Sequence, residues 1–163
     1  MLPAANRITV TCVSTRVSEE SVEVQAFVSF VRAHASVVRG LDRELIADHG
    51  LTINDYEVLL RLARAPDRMM RRVDLAQQVL LTPSGITRLL DGLQRSGFVE
   101  KAACDSDARV VYAKLTDAGR QKLKTATDDH VASIRAMFGE RFTDDELRTL
   151  CDFLDRLHPE ADN

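Results

Sequence analysis

The stretch Thr82-Pro83-Ser84-Gly85-Ile86-Thr87-Arg88-Leu89-Leu90-Asp91-Gly92-Leu93-Gln94-Arg95-Ser96-Gly97 reads as a short helix with both ends marked. Thr82 is an N-cap residue, Pro83 suits the first helical position where its missing N–H costs nothing, and Gly97 stands where a left-handed residue closes a helix. Ile86, Leu89, Leu90 and Leu93 fall at i, i+3, i+4 and i+7, so they share one face, which must be buried. The other face carries Ser84, Thr87, Arg88, Asp91 and Arg95. Small hydrogen-bonding groups near the N-terminus, followed by guanidiniums spaced along two turns, suit a DNA groove.

Working outward, Val73–Leu80 is a two-turn helix with Arg72 where a Ser or Thr cap would serve better, and Leu81 leads directly into Thr82. Two short helices joined by so tight a turn form a helix-turn-helix pattern. Phe98–Cys104 and Arg109–Leu115 alternate as strands around Asp105-Ser106-Asp107-Ala108, which gives a hairpin with Arg109 at its tip. A cation there reaches a phosphate or a narrow minor groove, as the wing of a winged helix does. Arg68–Arg72 is a basic linker long enough for a two- or three-residue strand.

Toward the N-terminus, a helix capped by Ser18 or Ser21 runs to about Asp48, and His49-Gly50 ends it. It is apolar on more than one side, so it has more surface to cover than one neighbour provides. Thr52 and Asp55 make a capping box for a helix over Ile53–Arg64, which Pro66 closes. After the hairpin, Thr116 caps a helix with Leu123, Thr127, Val131, Ile134 and Phe138 on one stripe, ended by Gly139. Thr143 and Glu146 box the last helix, in which Cys151 reads as a small buried hydrophobe. The expected fold is mainly α with a small β-hairpin wing (α+β). Residues 1–17 form an N-terminal arm without fixed structure, 18–50 and 116–160 a helical dimerisation domain, and 51–115 the winged helix-turn-helix. A two-fold dimer covers the first and last helices together.

The chain has 163 residues and a net charge of −3, but the charge is uneven. Residues 60–120 hold eleven Arg or Lys against seven Asp or Glu, so this span carries +4 and the remainder −7. A basic middle within acidic ends fits a nucleic-acid face on a larger scaffold. No apolar run reaches membrane length and no secretory leader is legible, so a cytoplasmic protein that does not meet a membrane is expected. Three cysteines at distant positions, Cys12, Cys104 and Cys151, fit neither a disulfide framework nor a metal site. The histidines at 34, 49, 130 and 158 show no metal spacing, and there is no phosphate loop, carboxylate pair or nucleophile motif. Neither enzyme activity nor a cofactor or metal is expected.

From about residue 20 to 158 the chain resembles the MarR family of transcriptional regulators. The resemblance is carried by Leu51-Thr52, Asp74-Leu75-Ala76, the run Thr82 to Asp91 with Leu93 and Gly97-Phe98-Val99, and above all Asp107-Ala108-Arg109 followed by Leu115-Thr116-Asp117-Ala118-Gly119. It implies a homodimer whose winged lobes straddle a palindromic operator on double-stranded DNA. It also implies release by a small, anionic or aromatic ligand bound where the first, second and fifth helices meet the winged lobe. Gly92 departs from the Arg or Lys of many relatives. The chain lacks the Trp of a urate-type ligand site, and Cys12 lies outside the first helix, where peroxide sensors carry their cysteine.

The DNA-binding candidates are therefore Ser84, Thr87 and Arg88 at base edges or phosphates, Arg95 at a phosphate, Arg109 on the wing, and Arg68, Arg71 and Arg72 flanking the backbone. His34, Tyr56 and His130 are candidate polar groups of the effector pocket. Cys104 beside Lys101 is a candidate redox switch. Two alternatives stand beside the ligand-released repressor: a winged helix that binds another protein, and a cysteine-based redox regulator.

Overall fold

A computed structural model describes residues 21–104 and 107–157, with the side chains of 103–110 outside that description. The expected arm at 1–17 with Cys12, the alternative cap Ser18, the side chains of Cys104 and Arg109, and His158 therefore lie outside the described residues.

Six α-helices and three short strands follow in order: α1 Val22–His49, α2 Ile53–Arg64, a 3-10 turn Pro66–Arg68, β1 Met69–Arg71, α3 Arg72–Gln78, α4 Pro83–Arg95, β2 Val99–Cys104, β3 Asp107–Leu115, α5 Asp117–Gly139 and α6 Asp144–Asp155. This is the mainly helical α+β architecture, with a winged helix-turn-helix, that the sequence leads one to expect. The described chain divides into two compact units within α1, one ending at Ser36 and the other beginning at Val37.

In the second unit α2 is the centre of the core. Val58, Leu59 and Leu62 are fully buried, and Leu75, Ile86, Leu90, Leu93, Val99, Leu115, Leu123 and Ala126 join the same cluster. Helices α2 and α4 therefore bury the faces that their periodicity marks. The sheet is antiparallel in the order β1-β3-β2, with Arg71 opposite Tyr112 and Val99 opposite Leu115. Near the hairpin end the register jumps from Ala103↔Val111 to Cys104↔Asp107, so Arg109 falls in an irregular span of β3. Extra residues of this kind bend a strand and increase its twist.

The caps explain the boundaries. Thr52 and Thr143 form full capping boxes with Asp55 and Glu146, and Thr82 accepts from the amide of Gly85. Gly50 (φ 63) and Gly97 (φ 75) supply the left-handed residues after α1 and α4. Behind Gly97 the Phe98 amide donates to Leu93 and the Gly97 amide to Gln94, which satisfies the last carbonyls of α4.

Four details differ from the sequence reading. Helix α3 begins at Arg72, with Arg71 as an N-cap that makes no side-chain capping bond. Asp42 of α1 takes on a capping role that the sequence hides, accepting from the amide of Ile53 at 2.8 Å. Gly139 is the last residue of α5 rather than a left-handed cap, because the C-cap is Glu140 in right-handed geometry. Cys151 is exposed rather than buried, because among the described residues α6 is too little covered to bury any of its side chains.

Candidate nucleic-acid interface

Helix α4 turns its apolar stripe inward and its polar stripe out. Ile86, Leu90 and Leu93 are buried, while Ser84, Arg88, Asp91 and Arg95 are exposed. At 3.6 residues per turn these four fall within about 60° of arc, so they form one narrow row along the helix. Arg88, Asp91, Gln94 and Arg95 line an open recess of about 520 Å³. No ion pair or hydrogen bond among the described residues engages the guanidinium of Arg88 or Arg95. The row therefore presents two unneutralised cations on the outer face of the second helix of a helix-turn-helix.

The two hydroxyls behave differently. Thr87 Oγ1 donates to the Pro83 carbonyl at 2.7 Å, an i−4 bond back into its own helix, and the residue is half-buried. Ser84 Oγ lies 3.2 Å from Thr82 Oγ1 on the exposed first turn.

The turn joining α3 to α4 has the hydrogen bonds of a Schellman closure, with the Leu81 amide donating to Ala76 and the Leu80 amide to Gln77. The left-handed position in it is occupied by Leu80 at φ 53, with its side chain 92% exposed. A turn that normally takes glycine is thus held by a β-carbon-bearing residue.

Behind α4, Thr116 joins the wing to the helix. Its hydroxyl donates to the Gly97 carbonyl at 2.7 Å and accepts from the Gly119 amide at 3.0 Å, and its own amide donates to the Phe98 carbonyl at 3.1 Å. Gly119 is compelled sterically: a β-carbon on it would stand 2.1 Å from the Phe98 carbonyl oxygen and 2.8 Å from Leu115 Cδ1. The run Leu115-Thr-Asp-Ala-Gly119 is therefore a clasp that sets the start of α5 against the end of α4.

The flanking arginines are differently employed. Arg71 Nε donates to the Tyr112 hydroxyl across the sheet at 3.2 Å. Arg68 Nη1 donates to Asp117 Oδ1 at 2.8 Å, and that hydrogen bond, followed by the guanidinium's charge, holds the Asp117 carboxyl below its ordinary range. Arg72 lines a small groove between α4 and the sheet together with Asp91 and Lys101. Lys101 of β2 lies 3.5 Å from Asp91 Oδ1, an arrangement the sequence reading missed because only folding brings the strand against the helix.

Of the three candidates for an effector pocket, two lie in the second unit. Tyr56 and His130 meet, with ring centroids 4.7 Å apart and a 53° tilt, and the buried Tyr56 directs its hydroxyl to Thr127 Oγ1 at 3.3 Å. Burial pushes the His130 imidazole below its ordinary pKa, while the charge of Glu44 acts in the opposite direction. On the neighbouring α5 residue, Asp129 Oδ2 stands 3.0 Å from the buried Nε2 of His49, but the pair lacks the alignment of a hydrogen bond. His34, in the other unit, is exposed beside Phe30 with centroids 6.3 Å apart.

The sequence model of the MarR family matches residues 49–110, the span from the end of α1 to the wing. Over 115 residues the chain is 32% identical to the HTH-type transcriptional repressor YetL of Bacillus subtilis, covering 68% of each chain. It is 26% identical over 134 residues to the HTH-type transcriptional regulator MhqR of the same organism, covering 82% of this chain and 90% of that one. Among solved structures it is similar to Sco3205, a MarR family transcriptional regulator from Streptomyces coelicolor in complex with DNA. The TM-score is 0.78 at 28% identity, with 88% of this chain and 90% of that chain covered. It is also similar to AbsC from the same organism, with a TM-score of 0.76 at 26% identity and coverage of 85% and 94%.

Proposed function

This chain belongs to the MarR family of transcriptional regulators, and from that premise we propose that it is a DNA-binding repressor working as a homodimer on a palindromic operator. The observation that carries the reading is the outward row of α4, where Arg88 and Arg95 stand without a counter-ion among the described residues. Ser84, Thr87 and Arg88 address base edges or phosphates, and Arg95, Arg71 and Arg72 the backbone. Arg109 serves from the wing. Residues 51–115 act as the DNA-binding unit on this reading. The Sco3205 complex with DNA and the repressor role named for YetL support it.

The dimer rests on uncovered apolar faces. Phe27 is 66% and Leu157 70% exposed, and Val31, Phe142, Phe153 and Leu154 are exposed as well. Faces of this kind are covered at once by a two-fold partner using the first and last helices of each chain. Release by a small aromatic or anionic ligand, with Tyr56, His130 and His34 as its polar contacts, follows from the family resemblance. Such a ligand acts through its different affinities for the DNA-competent and incompetent arrangements. No helix among the described residues is long and apolar enough to cross a membrane.

Selecting bound fragments from the source genome and titrating them against the protein at several salt concentrations tests the reading. Binding should weaken steeply with salt, and Arg88→Ala and Arg109→Ala should each lower the logarithmic slope by about one unit. Salt-insensitive association would overturn the DNA interface, and unchanged affinity in Arg109→Ala would remove the wing from it.

A further inference from the structure

We propose that Lys101, on wing strand β2, is a positioning residue for DNA recognition: it occupies the Asp91 carboxylate and so leaves Arg88 and Arg95 available to the phosphates. The inference rests on the DNA-interface reading and deepens it.

Asp91 is an acid in the middle of a row meant to face a polyanion. It lies three residues after Arg88 and four before Arg95, the two spacings at which side chains meet on a helix surface. An acid placed N-terminal to a base at i, i+4 is the more favourable orientation. On an isolated helix Asp91 would therefore pair with one of its own arginines. In the folded chain its Oδ1 is instead 3.5 Å from Lys101 Nζ, and among the described residues no ion pair joins it to either guanidinium. Both partners remain half open to solvent, at 60% for Lys101 and 51% for Asp91. A pair so exposed adds little stability. What it changes is which cations remain available.

The sheet supports this choice. Lys101 pairs in register with Ala113, and the neighbouring acid Glu100 is taken by Lys114 across the strands at 3.3 Å. Lys101 is thus directed to the helix side of the sheet, where Arg72 and Gln94 line the same groove. Removing its charge has two effects of the same sign. Asp91 turns to Arg88 or Arg95 and withdraws a guanidinium from DNA, and an uncompensated carboxylate then faces the phosphates.

A double-mutant cycle tests this on the full-length chain, by fluorescence anisotropy with a mixed-sequence duplex of about 30 base pairs, long enough for two half-sites one helical turn apart. At about 50 mM salt, Lys101→Gln should weaken binding about fivefold, and Lys101→Arg should retain the wild-type affinity. Asp91→Asn should bind at least as tightly as the wild type. In the Asp91→Asn background Lys101→Gln should change affinity by less than about twofold. Melting temperatures should stay within about 2 °C of one another, as expected of exposed pairs. An equal loss in both backgrounds would show that Lys101 touches phosphate directly and would overturn the inference, as would no loss in either. A wild-type protein that fails to bind the duplex would sink the DNA-interface reading itself. A wild type that binds steeply with salt, beside an unaffected Lys101→Gln, would sink only the role given to Lys101.

Discussion

Thr116 donates its hydroxyl hydrogen to the carbonyl of Gly97 at 2.7 Å, so the residue that opens α5 is bonded to the residue that closes α4. The same oxygen accepts from Gly119, which caps α5. One side chain thereby fixes the angle between the outward row of α4 and the helix that follows the wing. Thr116→Val keeps the shape and loses both bonds, and should cost about 2 kcal/mol, one part for the cap and one for the tie. Urea titration checks the figure, and DNA affinity should fall with it.

Gly119→Ala is the more severe substitution at this clasp. Its β-carbon would meet the Phe98 carbonyl oxygen, which belongs to the backbone and cannot rotate away. The strand has to move, at a cost of about 3 kcal/mol. A urea midpoint equal to the wild type would show that the wing and α5 are not locked together in solution.

Gly92 offers the opposite case. A β-carbon there would meet nothing within 4 Å, and the residue lies inside a helix. Gly92→Ala should therefore stabilise the chain by about 1 kcal/mol. Gly92→Lys should add a phosphate contact, steepening the salt dependence of DNA binding by about one unit while keeping the gain in stability.

Leu80 sits at φ 53 in the turn between α3 and α4 and buries nothing. Replacing it by Gly relieves the left-handed backbone without losing a contact, and the C′ position favours glycine. Thermal unfolding of Leu80→Gly should show a gain of about 1 kcal/mol. A loss would mean that the leucine side chain is covered in the assembled protein.

His130 sets a pH dependence. Its imidazole is held below its ordinary value of 6.5 by burial, with Glu44 opposing. Below that range the unfolded chain takes up a proton more readily than the folded one, so this contribution to stability is present above about pH 6.5 and is lost as the pH falls. The melting temperature should therefore drop between pH 7.5 and pH 5.5, and by less in His130→Gln.

Most of the fold was legible because its signals are local. Thr52, Thr82, Thr116 and Thr143 each cap the helix that their position announces, and the apolar stripes of α2 and α4 are the buried ones. The sequence pattern places the start of α3 one residue late because Arg71 makes no capping bond that a sequence could signal. Gly139 misled because a glycine near a helix end need not be left-handed. Cys151 lies on a stripe that reads as core but is open in the single chain. The site's cations were legible from the face of α4. What could not be read were the pairings that span distant parts of the sequence, namely Arg68 with Asp117, Lys101 with Asp91, and Gly119 beneath Phe98. Each depends on how strands and helices are set against one another.

The bond from Thr87 to the Pro83 carbonyl commits the only proton its hydroxyl has. Where Thr87 meets a base edge it can only receive a hydrogen bond, which the exocyclic amino groups of adenine and cytosine offer in the major groove and the oxygens of guanine and thymine do not. Its methyl group can still lie against a thymine methyl. On the proposed interface, the two strands of a base pair beneath this residue are therefore unequal to the protein: an amino group or a methyl is welcome, whereas a guanine edge meets an acceptor with an acceptor.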